Sequence, residues 1–127
     1  MQSFRTFIAV TAMTAGLFLT ALAQAHPKLV SSQPAAEASV AAPATIELHF
    51  SENLVTQFSG ARLMMTGMQG MSHEPMAIPA KISAGSDPKT MLITPVKPLV
   101  PGTYRVEWRA VSSDTHPITG NYSFTVK

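Results

Sequence analysis

The residues of this chain best suited to chemistry are sulfur donors gathered in one short stretch. Residues 64–76 read M-M-T-G-M-Q-G-M-S-H-E-P-M, so Met65, Met68, Met71, His73 and Met76 recur as M-x-x-M-x-x-M-x-H-x-x-M. Thioether sulfur is a soft, uncharged donor, and soft sulfur ligands select Cu(I). Side chains three apart share a helix face. Gly67, Gly70 and Pro75 each disfavour a helix interior, however, so the pattern predicts a loop. The plainer reading of such methionines is an adaptable apolar patch that packs or meets a partner. Against it, the run holds five of the six methionines that remain once residues 1–25 are set aside. The polar Thr66, Gln69, Ser72 and Glu74 lie between them, and a buried loop would have to satisfy their hydrogen bonds.

A second constellation begins at His26. Residues 1–25 have the form of a secretory signal peptide: Arg5 supplies the positive start, residues 7–22 are mainly apolar, and Ala23-Gln24-Ala25 is an A-x-A cleavage signal. Thr11, Thr14, Gly16 and Thr20 interrupt the apolar run, which argues for cleavage after Ala25 over a retained anchor. Cleavage there makes His26 the first residue, with an α-amine and an imidazole that can close a chelate on one ion. Pro27 has no backbone N–H, so chelation by a deprotonated amide is blocked and the shell must be completed from elsewhere. His116 is the natural second imidazole, with Asp114 two residues before it and Glu52 at the end of a strand. Nitrogen and carboxylate donors in a tetragonal set suit Cu(II). Each has an ordinary alternative: a residue left by processing, a turn in which Asp bonds backbone N–H groups, or a solvated strand end.

The mature portion, residues 26–127, is 102 residues long and suits one small domain. Loss of Arg5 leaves eight Lys/Arg against seven Asp/Glu, a net charge of +1. The basic residues neither cluster nor interleave with aromatics, which argues against nucleic acid. No cysteine is present, so disulfides and thiolate metal sites are excluded.

Short strands must position these donors. Residues 45–51 alternate, with Ile46, Leu48 and Phe50 on one face and Glu47 and His49 on the other. His49 therefore reads as exposed and structural. Residues 103–111 alternate most clearly, placing Tyr104, Val106, Trp108 and Ala110 inside, and residues 120–127 do so through Tyr122, Phe124 and Val126. Weaker strands are expected at 26–30, 60–65, 77–83 (limited by Pro79 to an edge or bulge) and 90–94. Residues 31–44 read as a surface connection, 86–89 as a turn and 112–117 as a loop. Met64 reads as pointing inward and Met91 as core. Six or seven short strands with Pro/Gly-rich turns predict an all-β sandwich or small Greek-key barrel.

The stretches His26-Pro27-Lys28-Leu29, I-E-L-H-F-S-E-N-L at 46–54, the methionine run, and W-R-A-V-S-S-D-T-H-P-I-T-G at 108–120 resemble the CopC family of periplasmic copper-resistance proteins, across essentially the whole mature chain. The resemblance implies a Greek-key β-barrel of immunoglobulin-like, cupredoxin-like character with two separated copper sites. Carried over by position, the Cu(II) site comprises His26, Glu52, Asp114 and His116, and the Cu(I) site Met65, Met68, Met71, His73 and Met76. It further implies a soluble, monomeric periplasmic carrier or buffer of copper. Its protein partners would belong to periplasmic copper handling, such as an inner-membrane copper transporter or a multicopper oxidase. The competing reading is an enzyme, because a terminal His with a second His is also the arrangement of histidine-brace oxygenases that attack polysaccharide. The short chain and its mostly inward aromatics count against that. A third reading is a structural domain whose methionines dock a partner.

Overall fold

Alternation is the organising fact of the molecule. The computed structural model describes residues 26–68 and 70–127; residues 1–25, which carry the expected signal peptide and its cleavage site, and Gln69 lie outside the described residues. Strands β1 (Leu29–Gln33), β3 (Ile46–Phe50), β7 (Thr90–Pro95) and β6 (Ala80–Ala84) form one sheet in that order. Strands β2 (Ser39–Val40), β9 (Ile118–Val126), β8 (Gly102–Ala110), β4 (Gly60–Met68) and β5 (Met71–Ile78) form the other. The pairs are antiparallel except β2 with β9. This is the expected all-β sandwich, with nine strands among the described residues where six or seven were expected.

The inner faces meet in one core. Ile46, Leu48 and Phe50 from β3 pack with Tyr104, Val106 and Trp108 from β8 and Tyr122, Phe124 and Val126 from β9. Trp108 is a core residue, its ring edge-on to Phe50 at 5.2 Å between centroids. Truncating it to Ala would cost on the order of 3–5 kcal/mol. Met91 is buried as expected. His49 is only partly exposed, held between Glu47 (Nε2 to Oε1, 3.2 Å) and the Thr90 hydroxyl (3.1 Å from Nδ1).

Four sequence expectations are corrected. The methionine run is a β-hairpin, not a loop: β4 and β5 pair from Leu63↔Ile78 to Met68↔Met71. The residues that argued for a loop are those the hairpin needs. Gly70 takes φ +81° at the turn, where a side chain is disfavoured. A Cβ on Gly67 would fall 2.6 Å from the Met71 carbonyl oxygen. Pro75 sits on an edge strand, where a missing N–H is tolerated.

Residues 77–83 are likewise not one strand. Pro79 divides them, so that β5 ends at Ile78 in one sheet and β6 begins at Ala80 in the other. The stretch 31–44 carries the end of β1 and all of β2. Finally, Met64 does not point inward. Leu63 and Met65 are the buried neighbours, and Met64 faces outward with its cross-strand partner Arg105.

Candidate functional site

The His26 site is built where β8 runs out. Pro27 is fully buried and anchors the start of the described chain. Two hydrogen bonds reinforce it: the Lys28 N–H donates to the Ser51 hydroxyl and the Ser51 N–H to the Lys28 carbonyl, each 2.9 Å. His26 is thereby held at the barrel rim with its side chain open to solvent.

Opposite it, the loop at 112–117 folds around Asp114. Its Oδ1 accepts from the His116 N–H (3.1 Å) and the buried Ser112 hydroxyl (3.2 Å). Thr115 adopts φ +63°, a left-handed conformation that is costly for a β-branched residue. That turn returns the His116 ring toward Asp114. The Asp114 Oδ2 lies 2.7 Å from His26 Nδ1 and 3.9 Å from His116 Nδ1. The two imidazole rings are 5.8 Å apart. One ligand atom from each of His26, Asp114 and His116 falls within 4.8 Å of the others, the one such group among the described residues.

Desolvation pushes the Asp114 carboxyl upward. The His116 N–H, the Ser112 hydroxyl and the charge of His26 and His116 outweigh it and leave the group below its ordinary value. It is a carboxylate ready to bind cations. The 2.7 Å separation of Nδ1 and Oδ2 has a second meaning. Two donors at about 2.0–2.2 Å from one ion, at right angles, stand about 3 Å apart. A proton now bridges a gap that a metal ion would fill with little movement.

Glu52 is not brought into this group. It is partly buried in the bend after β3, next to Ser51.

The methionine hairpin lies at the other end of β8. Met65, Met68 and Met76 line one cavity of about 400 Å³, closed by Leu99, Val100 and Tyr104. Met65 belongs to the core by burial, at 4 % exposure, while Met68 and Met76 are about half exposed. Met71 pairs across the turn with Met68 and is the most open of the set. Between the pairs Met65↔Met76 and Gly67↔Ser72, Thr66 alone faces His73, Glu74 and Pro75, so β5 bulges there. His73 sits on that bulge. Its Nδ1 lies 2.7 Å from the Glu74 carbonyl, which can only accept, so Nδ1 donates there and Nε2 is the ring nitrogen left for another partner. A neutral imidazole with a free Nε2 is a metal ligand in waiting. The three sulfurs on the cavity are grouped by the fold; His73 and Met71 are on the same hairpin but do not line it.

Known proteins resemble the chain over most of its described length. The family model described as "CopC domain" matches residues 29–127. Copper resistance protein C of Pseudomonas syringae pv. tomato is 69 % identical over 118 residues, covering 93 % of this chain and 94 % of its own. Copper resistance protein C of Escherichia coli is 66 % identical over 106 residues, covering 83 % and 84 %. Among solved structures, that of PcoC, a methionine-rich copper resistance protein from Escherichia coli, superposes with a TM-score of 0.77 at 64 % identity, over 81 % of this chain and all of the other. CopC from Methylosinus trichosporium OB3b gives 0.68 at 27 % identity, over 80 % and 94 %. The sandwich, the matched span and these identities together make the chain a member of the CopC family.

Proposed function

We propose that this is an exported copper-binding protein that serves copper resistance in the periplasm by sequestering or carrying the metal. Cu(II) is held at His26, Asp114 and His116, with the freed α-amine of His26 as a fourth donor and Glu52 as a carboxylate that can swing in. Cu(I) is held by thioethers of Met65, Met68, Met71 and Met76 with His73 Nε2. The observation that carries the reading is the convergence of two imidazoles and one carboxylate from opposite ends of the chain, a donor set suited to Cu(II). Relatives named copper resistance proteins support it. Loading and unloading would pass through protein partners of copper handling.

The test uses processed protein whose first residue is verified by mass as His26, titrated anaerobically with Cu(I) and separately with Cu(II). Both should bind. A form retaining one residue before His26 has an amide in place of the amine, and should bind Cu(II) much more weakly while keeping its Cu(I) affinity. Equal Cu(II) affinity in the two forms would remove the amine from the shell. The same sample, given reductant, oxygen and polysaccharide, should release no oxidised oligosaccharide. Release would replace the carrier by an oxygenase.

A further inference from the structure

On the outer face of the five-stranded sheet lies a cleft of about 670 Å³ that neither metal site uses. Two glycines, Gly60 and Gly120, are among the residues that line it. A Cβ on Gly60 would meet no atom within 4 Å, so the space above it is open. At Gly120 the opposite holds on the inner side: a Cβ would fall 2.4 Å from the Trp108 ring. The indole therefore presses against bare backbone beside the cleft. Its Nε1 is buried and has no hydrogen-bond partner.

Charge is unbalanced on this face. Arg62, Arg105 and Arg109 project from β4 and β8, against one carboxylate, Glu107. Arg62 and Arg105 both bind Glu107, at 2.9 and 3.0 Å. Arg109 has no such partner among the described residues. Its Nε donates to the Phe58 carbonyl at 3.2 Å, leaving the terminal nitrogens free. A guanidinium fork of this kind matches a carboxylate with two parallel hydrogen bonds. Beside it stand the Asn121 amide and the side chain of Phe58, 57 % exposed on the wall of the cleft.

We propose that this cleft docks an acidic peptide segment of a partner protein. A carboxylate of the segment is held by Arg109 and Asn121, and a neighbouring apolar side chain covers Phe58. The site does not depend on copper, although β8 leads from Arg109 directly into the loop that carries Asp114 and His116. A docked partner would therefore lie beside that end of the barrel.

The chain has a single tryptophan, and its ring packs on the Gly120 backbone that lines the cleft, so its emission senses a change there. The metal-free protein is titrated with a capped peptide of alternating glutamate and leucine, following Trp108 fluorescence and the amide shifts of Gly60, Gly120 and Asn121. Saturable binding with shifts confined to these positions is expected, weakening as salt is raised. Arg109→Gln removes the fork and Gly60→Val fills open space with a residue suited to strands. Each should weaken binding by about tenfold or more, as loss of a central contact does. Unchanged affinity in both variants would overturn the proposal. So would equal binding of the matching lysine–leucine peptide, or quenching by phosphatidylserine vesicles but not by the peptide.

Discussion

At the scale of single residues, burial separates methionines that their spacing treats alike. Met65 and Met76 are cross-strand partners on one cavity, yet one is a core residue and the other is open to solvent. Met76→Leu should lower Cu(I) affinity and leave the unfolding midpoint unchanged. Met65→Leu should lower Cu(I) affinity and also change stability, by less than about 1.5 kcal/mol for a swap that nearly conserves volume. Paired titration and denaturant unfolding read both quantities. Unaltered Cu(I) binding in Met65→Leu would assign that side chain to packing alone.

Glu107 gives the second residue-level expectation. Its bond from Arg62, aided by that from Arg105 and by the charge of both, outweighs desolvation and lowers its pKa. A lowered folded pKa adds stability that is complete above the unfolded value and is lost as pH falls through the folded one. The group is part-exposed and screened, so the contribution is on the order of 0.2–1 kcal/mol. Glu107→Gln should thus be less stable than the parent at neutral pH, and the two should converge in acid. A gap that persists at the lowest pH would point to packing instead of charge.

At the scale of elements, the 112–117 loop shows how backbone strain places a ligand. Thr115 holds a left-handed φ at a cost of roughly 1–3 kcal/mol. Its neighbours repay this through the Asp114 turn: the Thr115 N–H donates to the Ser112 carbonyl at 2.9 Å and the His116 N–H to Asp114. Thr115→Gly should relieve the strain without unfolding the domain, while letting the His116 ring wander. Cu(II) affinity should therefore fall although thermal stability does not. Equal affinity would show that the loop is fixed by its other bonds.

Elements also mark what could be read in advance. Strands β3, β8 and β9 bury one face and free the other, so their alternation was plain in the sequence. The hairpin was not. Gly67, Gly70 and Pro75 serve close approach, turn and edge, and each looks locally like a loop residue. Nor does local pattern show that Pro79 hands the chain from one sheet to the other. Met64 and Met65 are adjacent apolar residues, and only the wider alternation of Arg62, Met64 and Thr66 against Leu63 and Met65 tells their faces apart. His26 and His116 come from opposite ends of the chain, so topology joins them and no spacing reveals it. Donor chemistry offered that pairing with Asp114 and Glu52 as its carboxylates, and resemblance to a family pointed to the same four positions, of which the fold holds Glu52 outside the cluster.

At the scale of the whole molecule, one strand separates the two donor sets. The hairpin flanks Thr103 and the histidine loop follows Ala110. Seven residues at about 3.3 Å each put them roughly 23 Å apart. No side chain spans that gap, and the core between is apolar. Soft and hard donors sort the two oxidation states, so oxidation of a protein loaded only with Cu(I) should move copper to the His26 end through a second molecule. The transfer rate should rise with protein concentration, and X-ray absorption should show sulfur scattering replaced by nitrogen and oxygen. A rate independent of concentration would require a path inside one barrel.

The bulge in β5 has a further consequence, for the company the protein keeps with itself. A sandwich leaves four strands with one unpaired side, and here three of them are short: two residues in β2, five each in β1 and β6. Only β5, with eight residues, is long enough to recruit a foreign strand, and it carries exposed thioethers. Straight, it would be a template for stacking chain upon chain. His73, Glu74 and Pro75 spoil that template by breaking the hydrogen-bond rhythm and withholding one donor. Pro75→Val should accordingly leave the monomer folded yet raise its tendency to form fibrils on storage, read by light scattering. The geometry that sets the imidazole on the hairpin would thus also oppose strand-to-strand association between copies.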